Sequence, residues 1–373
     1  MNNMLMKKRT ILTCLPALLL SAACTKTAET VDPYLSDDTA RVTVTLGLEG
    51  MTQTRASDDS RLDDTACISD GTRATTLIYA LYDANRKPLL IKDPKTGEPV
   101  ERVCINDIRF PYNGSDGAPL AFDLVKGLEY TLVFWAQSEN GEKFYDTRDL
   151  TDIKVNYAGA NNDEARDAFC VSRRLTITQD ELDLKVVLRR PFAQINVGIT
   201  KEDYAAWQES ASATLLQSAI SISGAGNGLD LVADKVLRTE AKISFDLGAI
   251  PHQQEEFGNP YLEIDLDRNA TVEEGEKFVW ASMCYILVPN YRDEPDAEDD
   301  ADNTFMYSTL IDIPELRFFD SDEITLTPKD SDLTNFPVQN NHRTNIIFQD
   351  IFGYDVRILV DIDSRYAGDQ PNE

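Results

Sequence analysis

The sequence has 373 residues, which is enough for two domains of ordinary size, each with its own hydrophobic core. It contains 64 acidic and 36 basic residues, which gives a net charge of −28 at pH 7. A surface with this charge repels nucleic acid and anionic membranes, and the sequence has no basic tract that binds phosphate. We therefore expect no nucleic-acid partner.

The first 23 residues form a predicted export signal. A basic segment at residues 7–9 precedes a short apolar segment at residues 10–20, and small residues then lead into Cys24. The apolar segment is about half the ~20 residues that a membrane-spanning helix needs. We therefore expect a lipoprotein signal with lipidation at Cys24, although serine occupies the position that is usually leucine in such signals. Ordinary signal cleavage beside an incidental cysteine is the alternative.

A linker at residues 24–39 leads into the first predicted strand, RVTVTLGL, at residues 41–48. Its apolar residues alternate with threonine and glycine, which predicts one buried face. The residues of that face are Val42, Val44, Leu46 and Leu48. A long polar segment that contains Arg55 in a T-R-A sequence follows, and a second T-R-A, which contains Arg73, stands just before the next strand, which begins at Thr76.

Period-two alternation continues along most of the chain, for example in LAFDL, AKISFDL and YLEIDL. Turn-forming residues separate these segments, which predicts an all-β fold of antiparallel β-sandwiches rather than a βαβ fold. Only KEDYAAWQESASATLLQ, at residues 201–217, has helical spacing and predicts one short helix. The last predicted strand, YDVRILVDI, places four apolar residues on one face, namely Val356, Ile358, Val360 and Ile362.

The best predicted domain boundary lies in LRRPFAQINVG. Apolar residues occupy even positions from Leu182 to Leu188 and odd positions from Ala193 to Ile199. A slip of one residue turns every side chain of a strand to the other face, and Pro191 cannot donate to a central ladder. We therefore expect a crossover between two sandwich domains, residues 40–190 and 191–373. A bulge inside one strand is the alternative.

The sequence matches none of the enzymatic templates. It contains only two histidines, His252 and His342, and lacks HExxH, GxSxG, a Walker loop and a dinucleotide fingerprint. The acidic run at residues 293–302 lacks the spacing of a calcium loop and is interpreted as a solvated loop. We expect no enzyme activity, no cofactor and no metal. A glycan-degrading enzyme with two carboxylates in a cleft is the alternative from a different functional class.

Four cysteines follow Cys24, and the wide spacings between them support neither zinc binding nor thioredoxin chemistry. They are Cys67, Cys104, Cys170 and Cys284. Cys284 lies in the apolar run FVWASMCYILVP, which favours a buried free thiol, and the pairing of the others is left open. Two of the three tryptophans, Trp135 and Trp280, lie within long apolar strands and are interpreted as core residues.

Several motifs together resemble the fimbrillin-like lipoproteins of Bacteroidetes-type bacteria, the family of major and minor fimbrial subunits. They are the leader, the early strand followed by QTRAS and SDGTRATTLIYALYD, the central LRRPFAQINVGI and the late PVQNNHRTNIIF. The resemblance covers most of residues 24–362. It implies two tandem transthyretin-like β-sandwich domains in an exported lipoprotein of the outer membrane or cell surface, which serves as a fimbrial subunit or adhesin and not as an enzyme.

The resemblance also implies roles for particular residues. A surface protease of such systems cuts after an arginine in the loop behind the first strand, the strand leaves, and a strand of another subunit fills the groove. Residues 41–48 then form the placeholder strand, Arg55 or Arg73 is the processing site, and the strand from Val356 to Ile362 is the donor. The implied partners are other fimbrial subunits and a host or bacterial surface ligand. A glycan-binding surface lipoprotein without polymerisation is the alternative.

Overall fold

The computed structural model describes residues 38–49, 70–115, 118–211, 213–257, 259–269, 271–289, 308–322, 325–326, 333–350 and 357–363. Strands make up most of this part of the chain, as predicted. None of its helices has the length and apolarity that a membrane span would require.

The elements are numbered in chain order. The strands before residue 190 are β1 (Thr39–Leu48), β2 (Thr76–Asp83), β3 (Pro88–Leu89), β4 (Ile91–Lys92), β5 (Pro99–Val100), β6 (Val103–Ile105), β7 (Gly114–Ser115), β8 (Ala118–Pro119), β9 (Ala121–Val125), β10 (Glu129–Gln137), β11 (Tyr145–Asp146), β12 (Ile153–Val155), β13 (Ala168–Thr176) and β14 (Glu181–Leu188). Short 3₁₀ helices lie at Gly141–Lys143, Glu164–Arg166, Pro251–Gln253, Glu255–Phe257 and Glu274–Glu276.

The described residues of the second half of the chain contain one α-helix and the remaining strands. They are β15 (Phe192–Ile199), α1 (Lys201–Ala211), β16 (Leu215–Ser223), β17 (Gly226–Asp230), β18 (Lys235–Thr239), β19 (Ile243–Ser244), β20 (Gly248–Ala249), β21 (Tyr261–Glu263), β22 (Lys277–Leu287), β23 (Ser308–Asp320), β24 (Thr325–Leu326), β25 (Phe336–Gln339), β26 (Arg343–Gln349) and β27 (Arg357–Asp363).

The strands form four larger sheets and two short hairpins. A three-stranded sheet has the order β14-β1-β9, and a second sheet has the order β13-β10-β2-β3 with β6 also paired to β2. The largest sheet has the order β11-β12-β17-β22-β15-β26-β27, and the fourth has the order β19-β16-β23-β24. Most pairings are antiparallel, but β1 is parallel to β14 and β15 is parallel to β26. Parallel pairing needs a long crossover, and long stretches of chain separate both pairs.

In the sheet β13-β10-β2-β3, the central strands β10 and β2 are buried on both faces, which alternation alone does not reveal. Along β2, Leu77, Tyr79 and Leu81 pack into one hydrophobic cluster. Ile78 and Ala80 pack into the other. Strands that are covered on both sides read as continuous apolar runs, and TLIYALYD and YTLVFWAQ have this character. The sheet therefore supplies apolar side chains to both clusters.

The predicted break near Pro191 is a passage between two sheets. β14 ends at Leu188 beside β1, whereas β15 begins at Phe192 in the largest sheet. The structure therefore has a crossover here and not a bulge within one strand. β11 and β12, which precede the break in sequence, also join the largest sheet through β17. The domain ranges 40–190 and 191–373 remain predictions.

The predicted helix begins where expected but is shorter. Its first turn is capped by Thr200, whose hydroxyl accepts the Asp203 amide at 3.2 Å, and Tyr204 and Trp207 form its buried face. The predicted helical range, residues 201–217, extends too far, because Leu215 is the first residue of β16 and is fully buried in the core. Pairing of β16 with β23 overrides the weak helical spacing there.

Candidate functional site

The first strand, β1, is the central strand of its sheet. It pairs in parallel with β14 from Arg41 to Leu48 and antiparallel with β9 from Thr39 to Thr43. Past the end of β9, the same edge of β1 bonds to the residue that precedes β9 in the sequence: the Val44 amide donates to the Leu120 carbonyl at 2.9 Å. β9 and β14 are not paired with each other. Without β1, this sheet would therefore be two separate strands with unpaired edges.

The inward face of β1 is the face predicted from the sequence. Its side chains are almost completely buried: Val42 0%, Val44 2%, Leu46 0% and Leu48 4% exposed. Ala40, at 1%, extends the same face. With about 1.5 to 3 kcal/mol for each large apolar side chain, the four contribute ~6 to 12 kcal/mol, an upper estimate comparable to the stability of a whole domain.

The groove that holds β1 is lined by the opposite sheet. Tyr79 makes an edge-to-face contact with Phe122 at 5.9 Å between ring centroids, and Phe134 lies beside it. Burial raises the pKa of the Tyr79 hydroxyl, as expected for a groove that excludes water. Gly71 forms the wall next to Leu48, because a Cβ atom there would lie 2.8 Å from the Leu48 side chain. The groove is therefore apolar and closely packed against the inward face of β1.

The outward face of β1 is polar and exposed. Arg41 pairs with Asp123 of β9 at 3.6 Å, and both side chains are more than half exposed. Thr43 donates to Asp183 of β14. These contacts cross the strand at the surface, where ion pairs contribute little to stability. The inward face and the two backbone ladders therefore hold β1.

Of the two predicted processing sites, Arg55 lies outside the described residues. Arg73 is half-buried in a hydrogen-bonded turn. The Ala74 amide donates to the Gly71 carbonyl at 3.0 Å, the Thr75 amide donates to the Arg73 carbonyl at 2.9 Å, and Ala74 is buried. A protease that binds extended backbone would have to open this turn first.

The C-terminal strand β27 lies at an edge of the largest sheet, where it pairs antiparallel with β26. Of its predicted apolar face, Val356 lies outside the described residues, Ile358 packs against the core, Ile362 is half-buried and Val360 is 36% exposed. The apolar face of β27 is only partly covered, because an edge strand at the margin of a core has fewer residues to pack against.

A row of polar contacts crosses the outer strands of this sheet. The Asn196 side chain donates to Asn345 at 2.8 Å, and Asn345 donates to Asp361 of β27 at 3.2 Å. Arg268 donates to Asp361 at 2.6 Å and to the Ile362 carbonyl at 3.1 Å. Side chains therefore tie β27 to its own chain in addition to the backbone ladder.

One group of carboxylates has the composition of a cation site, and sequence reasoning missed it. Oxygen atoms of Asp265, Asp267 and Glu276 lie within 4.8 Å of one another. These residues stand at positions 1, 3 and 12 of a loop, as in an EF-hand, but Ala270 replaces its invariant glycine. The carboxylates accept loop amides, including Asn269 to Asp265 at 2.9 Å and Leu266 to Glu276 at 2.7 Å. The DLDRN spacing is the signal that could have identified the group.

The three tryptophans, Trp135, Trp207 and Trp280, are buried and present no exposed row for stacking on sugars. The His252 ring contacts Tyr204 and Tyr261, at 5.5 and 5.3 Å between ring centroids. The expectations of no enzyme activity and no metal remain predictions.

The cysteines within the described residues are unpaired. The prediction of a buried free thiol at Cys284 is confirmed, and Cys170 is also buried whereas Cys104 is exposed. Burial raises the pKa of the Cys170 and Cys284 thiols, so both stay protonated near neutral pH. Cys24, Cys67 and the acidic run at residues 293–302 lie outside the described residues.

Comparison with solved structures finds similar chains at low identity. The tip fimbrial protein Mfa3 from Porphyromonas gingivalis, with a C-terminal truncation, is 11% identical with a TM-score of 0.35, covering 87% of this chain and 99% of that one. A proposed cell adhesion protein from Bacteroides eggerthii is 10% identical with a TM-score of 0.40, covering 88% and 96%. A proposed polysaccharide-binding protein from Bacteroides thetaiotaomicron is 11% identical with a TM-score of 0.37, covering 89% and 99%.

No curated protein matches the sequence. A family model does match, over residues 35–272, which begin just before β1 and extend past β21. The chain therefore belongs to the family described as a family of unknown function, DUF6562.

Proposed function

We propose that this protein is a surface subunit of fimbrial type, in which β1 is a placeholder that a strand of another subunit replaces. The observation that carries the proposal is the place of β1: it is the central strand of its sheet and fills an apolar groove with its inward face. It is also the first described element, so one cut between residues 50 and 69 separates it from every other described strand.

Loss of β1 would strongly favour the binding of a new strand. Two backbone edges would lose their partners, and the groove would expose the apolar surface that Val42, Val44 and Leu46 now cover. An incoming strand gains affinity from main-chain hydrogen bonds and register from alternating side chains in pockets. The free energy that β1 now supplies would thus drive assembly.

Arg55 is the proposed processing site and Arg73 the second choice. A cut after Arg73 would need the hydrogen-bonded turn around Ala74 to open. It would also remove Gly71, which forms the groove wall beside Leu48 and Phe169. A cut after Arg55 leaves this wall in place.

The proposed donor is β27 of another copy or of a related subunit. It is an edge strand, and its segment has the alternation that a groove shaped for β1 requires. Release of β27 breaks one ladder, the ladder with β26, rather than two. We further propose two sandwich domains at residues 40–190 and 191–373, export through residues 1–23, and a lipid on Cys24 that holds the protein at the outer membrane.

The first experiment treats the purified full-length protein with an arginine-specific protease and follows polymers by denaturing electrophoresis without heating. We expect one early cut after Arg55, followed by a ladder of assemblies. Arg61 lies in the same segment, so every variant, including the reference, carries Arg61→Gln. In that background Arg55→Gln should lose both, whereas the matched Arg73→Gln variant should keep both. Resistance of the folded protein at both arginines would refute the processing step.

The second experiment tests the donor by deleting residues 354–373. The truncated protein should still be cut, because β1 and its groove are unchanged, but it should not polymerise by itself. Uncut full-length protein, when mixed with the cut truncated protein, supplies β27 donor strands but no additional empty grooves. Normal polymerisation of the truncated protein alone would show that another segment is the donor.

The third experiment tests the lipid anchor by mass spectrometry of the mature N-terminus, with a Cys24→Ser variant as the control. We expect an acylated cysteine in the wild type and release of the variant from the membrane fraction. An unmodified residue at or beside Cys24 would refute the anchor and would leave the strand-replacement proposal untouched.

A further inference from the structure

The central motif LRRPFAQINVG and the late motif PVQNNHRTN meet at Glu49, the last residue of the first described range, 38–49. One Glu49 carboxylate oxygen, Oε2, accepts from Arg189 Nε at 2.7 Å and from Asn341 Nδ2 at 2.8 Å. Its backbone amide continues the β1 ladder by donating to the Leu188 carbonyl at 2.9 Å. A single side chain next to β1 therefore contacts both motifs.

Asn341 connects this carboxylate to the start of the largest sheet. Its backbone is in the left-handed region, with φ of 55°, and the residue is buried. Its amide N–H donates to the Phe192 carbonyl at 2.8 Å, and its side-chain oxygen accepts the Arg190 amide at 3.2 Å. Asparagine suits this place because it tolerates a positive φ and offers both a donor and an acceptor.

Arg189 and Arg190 connect the same point to β13. Arg189 exchanges two backbone hydrogen bonds with Cys170, at 2.8 and 3.1 Å. Arg190 is buried and forms a two-point contact with Asp167, at 2.7 and 3.0 Å, while its guanidinium lies 4.2 Å from the centroid of the Phe169 ring. The crossover between the sheets is therefore fixed by backbone and buried charge, and Glu49 is its contact with the first strand.

We infer that Glu49 couples occupation of the groove to the crossover between the sheets. When β1 is in place, its following carboxylate holds Arg189 and Asn341 together. When β1 leaves, both lose this acceptor, and the crossover opens more often until another strand fills the groove. The coupling rests on the proposed function, because it has a use only if β1 is removable.

The test uses the uncut full-length protein and needs neither protease nor polymer. Amide hydrogen exchange is measured by mass spectrometry over residues 188–192 and 339–345 in the wild type and in Glu49→Ala. We expect exchange about threefold faster or more in both segments, because a charge-assisted contact is lost. Asp123→Ala is the matched control, because it removes the exposed ion pair that Asp123 of β9 forms with Arg41 of β1. It should leave both segments unchanged.

Glu49→Gln separates the two contacts of the carboxylate. The amide oxygen can still accept from Asn341 but lacks the charge that faces Arg189. Exchange over residues 339–345 should therefore stay close to that of the wild type, while exchange over residues 188–192 increases. The Cys170 thiol gives a second readout, and we expect faster labelling of Cys170 in Glu49→Ala, with Cys284 as the internal reference.

The outcomes distinguish the coupling from the proposed function. Equal exchange in the wild type and Glu49→Ala over both segments would overturn the coupling, even if the cut protein polymerises. Faster exchange in a protein that never polymerises after cutting would support the contact made by Glu49 and count against strand replacement.

Discussion

The first and the last described strands have the same sequence pattern but different places in the fold. β1 is central, with a partner on each side, and its inward residues Val42 and Leu46 are fully buried. β27 is at an edge, with one partner, and its adjacent residues Leu359 and Val360 are 40% and 36% exposed. Alternation therefore predicts that a strand has an apolar face, but it does not predict how much of that face is covered.

The comparison has an energetic consequence. Removal of β1 breaks two backbone ladders and exposes apolar residues of a hydrophobic core. Removal of β27 breaks one ladder at the edge of its sheet. A strand that is costly to remove creates a strong binding site, and a strand that is easily released is a good donor. Under the proposed function, β1 therefore suits the role of placeholder and β27 the role of donor.

The largest effect is expected from deletion of the strands themselves. In a protein without residues 25–49, the free energy of unfolding of the part of the fold that contains the groove should fall by ~6 to 12 kcal/mol, because four large side chains leave the core. Hydrogen exchange of β9 and β14 should then approach that of unprotected amides. Deletion of residues 354–373 is the matched control and should leave β9 and β14 protected. Equal protection in the two variants would contradict the assignment of β1 as the structural centre of its sheet.

A smaller difference is expected from single truncations. Leu46→Ala should lower the free energy of unfolding by about 2 to 5 kcal/mol, because it leaves a cavity in a closed core. Val360→Ala should lower it by less than about 1 kcal/mol, because the side chain is partly in water. Urea unfolding of both variants against the wild type measures the difference. Similar losses would mean that the two strands are equally buried in solution.

The smallest effect is expected at the contacts that tie β27 down. Arg268→Ala removes a partly exposed partner of Asp361, so we expect a change of about 1 kcal/mol or less in global stability. Exchange of the β27 amides should nevertheless become faster, because the side-chain contact to the Ile362 carbonyl is lost. Arg238→Ala, which removes the ion pair with Asp152, is the matched control. Unchanged exchange in β27 would show that Arg268 does not help to hold the strand.

Local sequence patterns predicted the elements whose burial depends on their own residues. The alternation from Val42 to Leu48 identified the inward face of β1, and the slip of period near Pro191 identified the passage between sheets. The helix at Lys201 was predicted because Tyr204 and Trp207 are one turn apart on one face.

Features set by distant parts of the chain were not predicted. The parallel pairing of β1 with β14 joins Arg41 to Glu181, and no local pattern specifies such a partner. Glu49 and Asn341 are 292 residues apart in the sequence, so their contact becomes visible only in three dimensions. The carboxylate group in the loop after β21 could have been found, because its DLDRN spacing is present in the sequence.

The most direct test of the central claim is strand replacement in the cut protein. Protein cut after Arg55 is incubated with a synthetic peptide of residues 354–365 or with a scrambled peptide, and native mass spectrometry records what remains bound. The account predicts that the fragment that contains β1 leaves and that one peptide of the natural sequence takes its place. Retention of the fragment with the natural peptide free in solution, at the same level as the scrambled control, would contradict it.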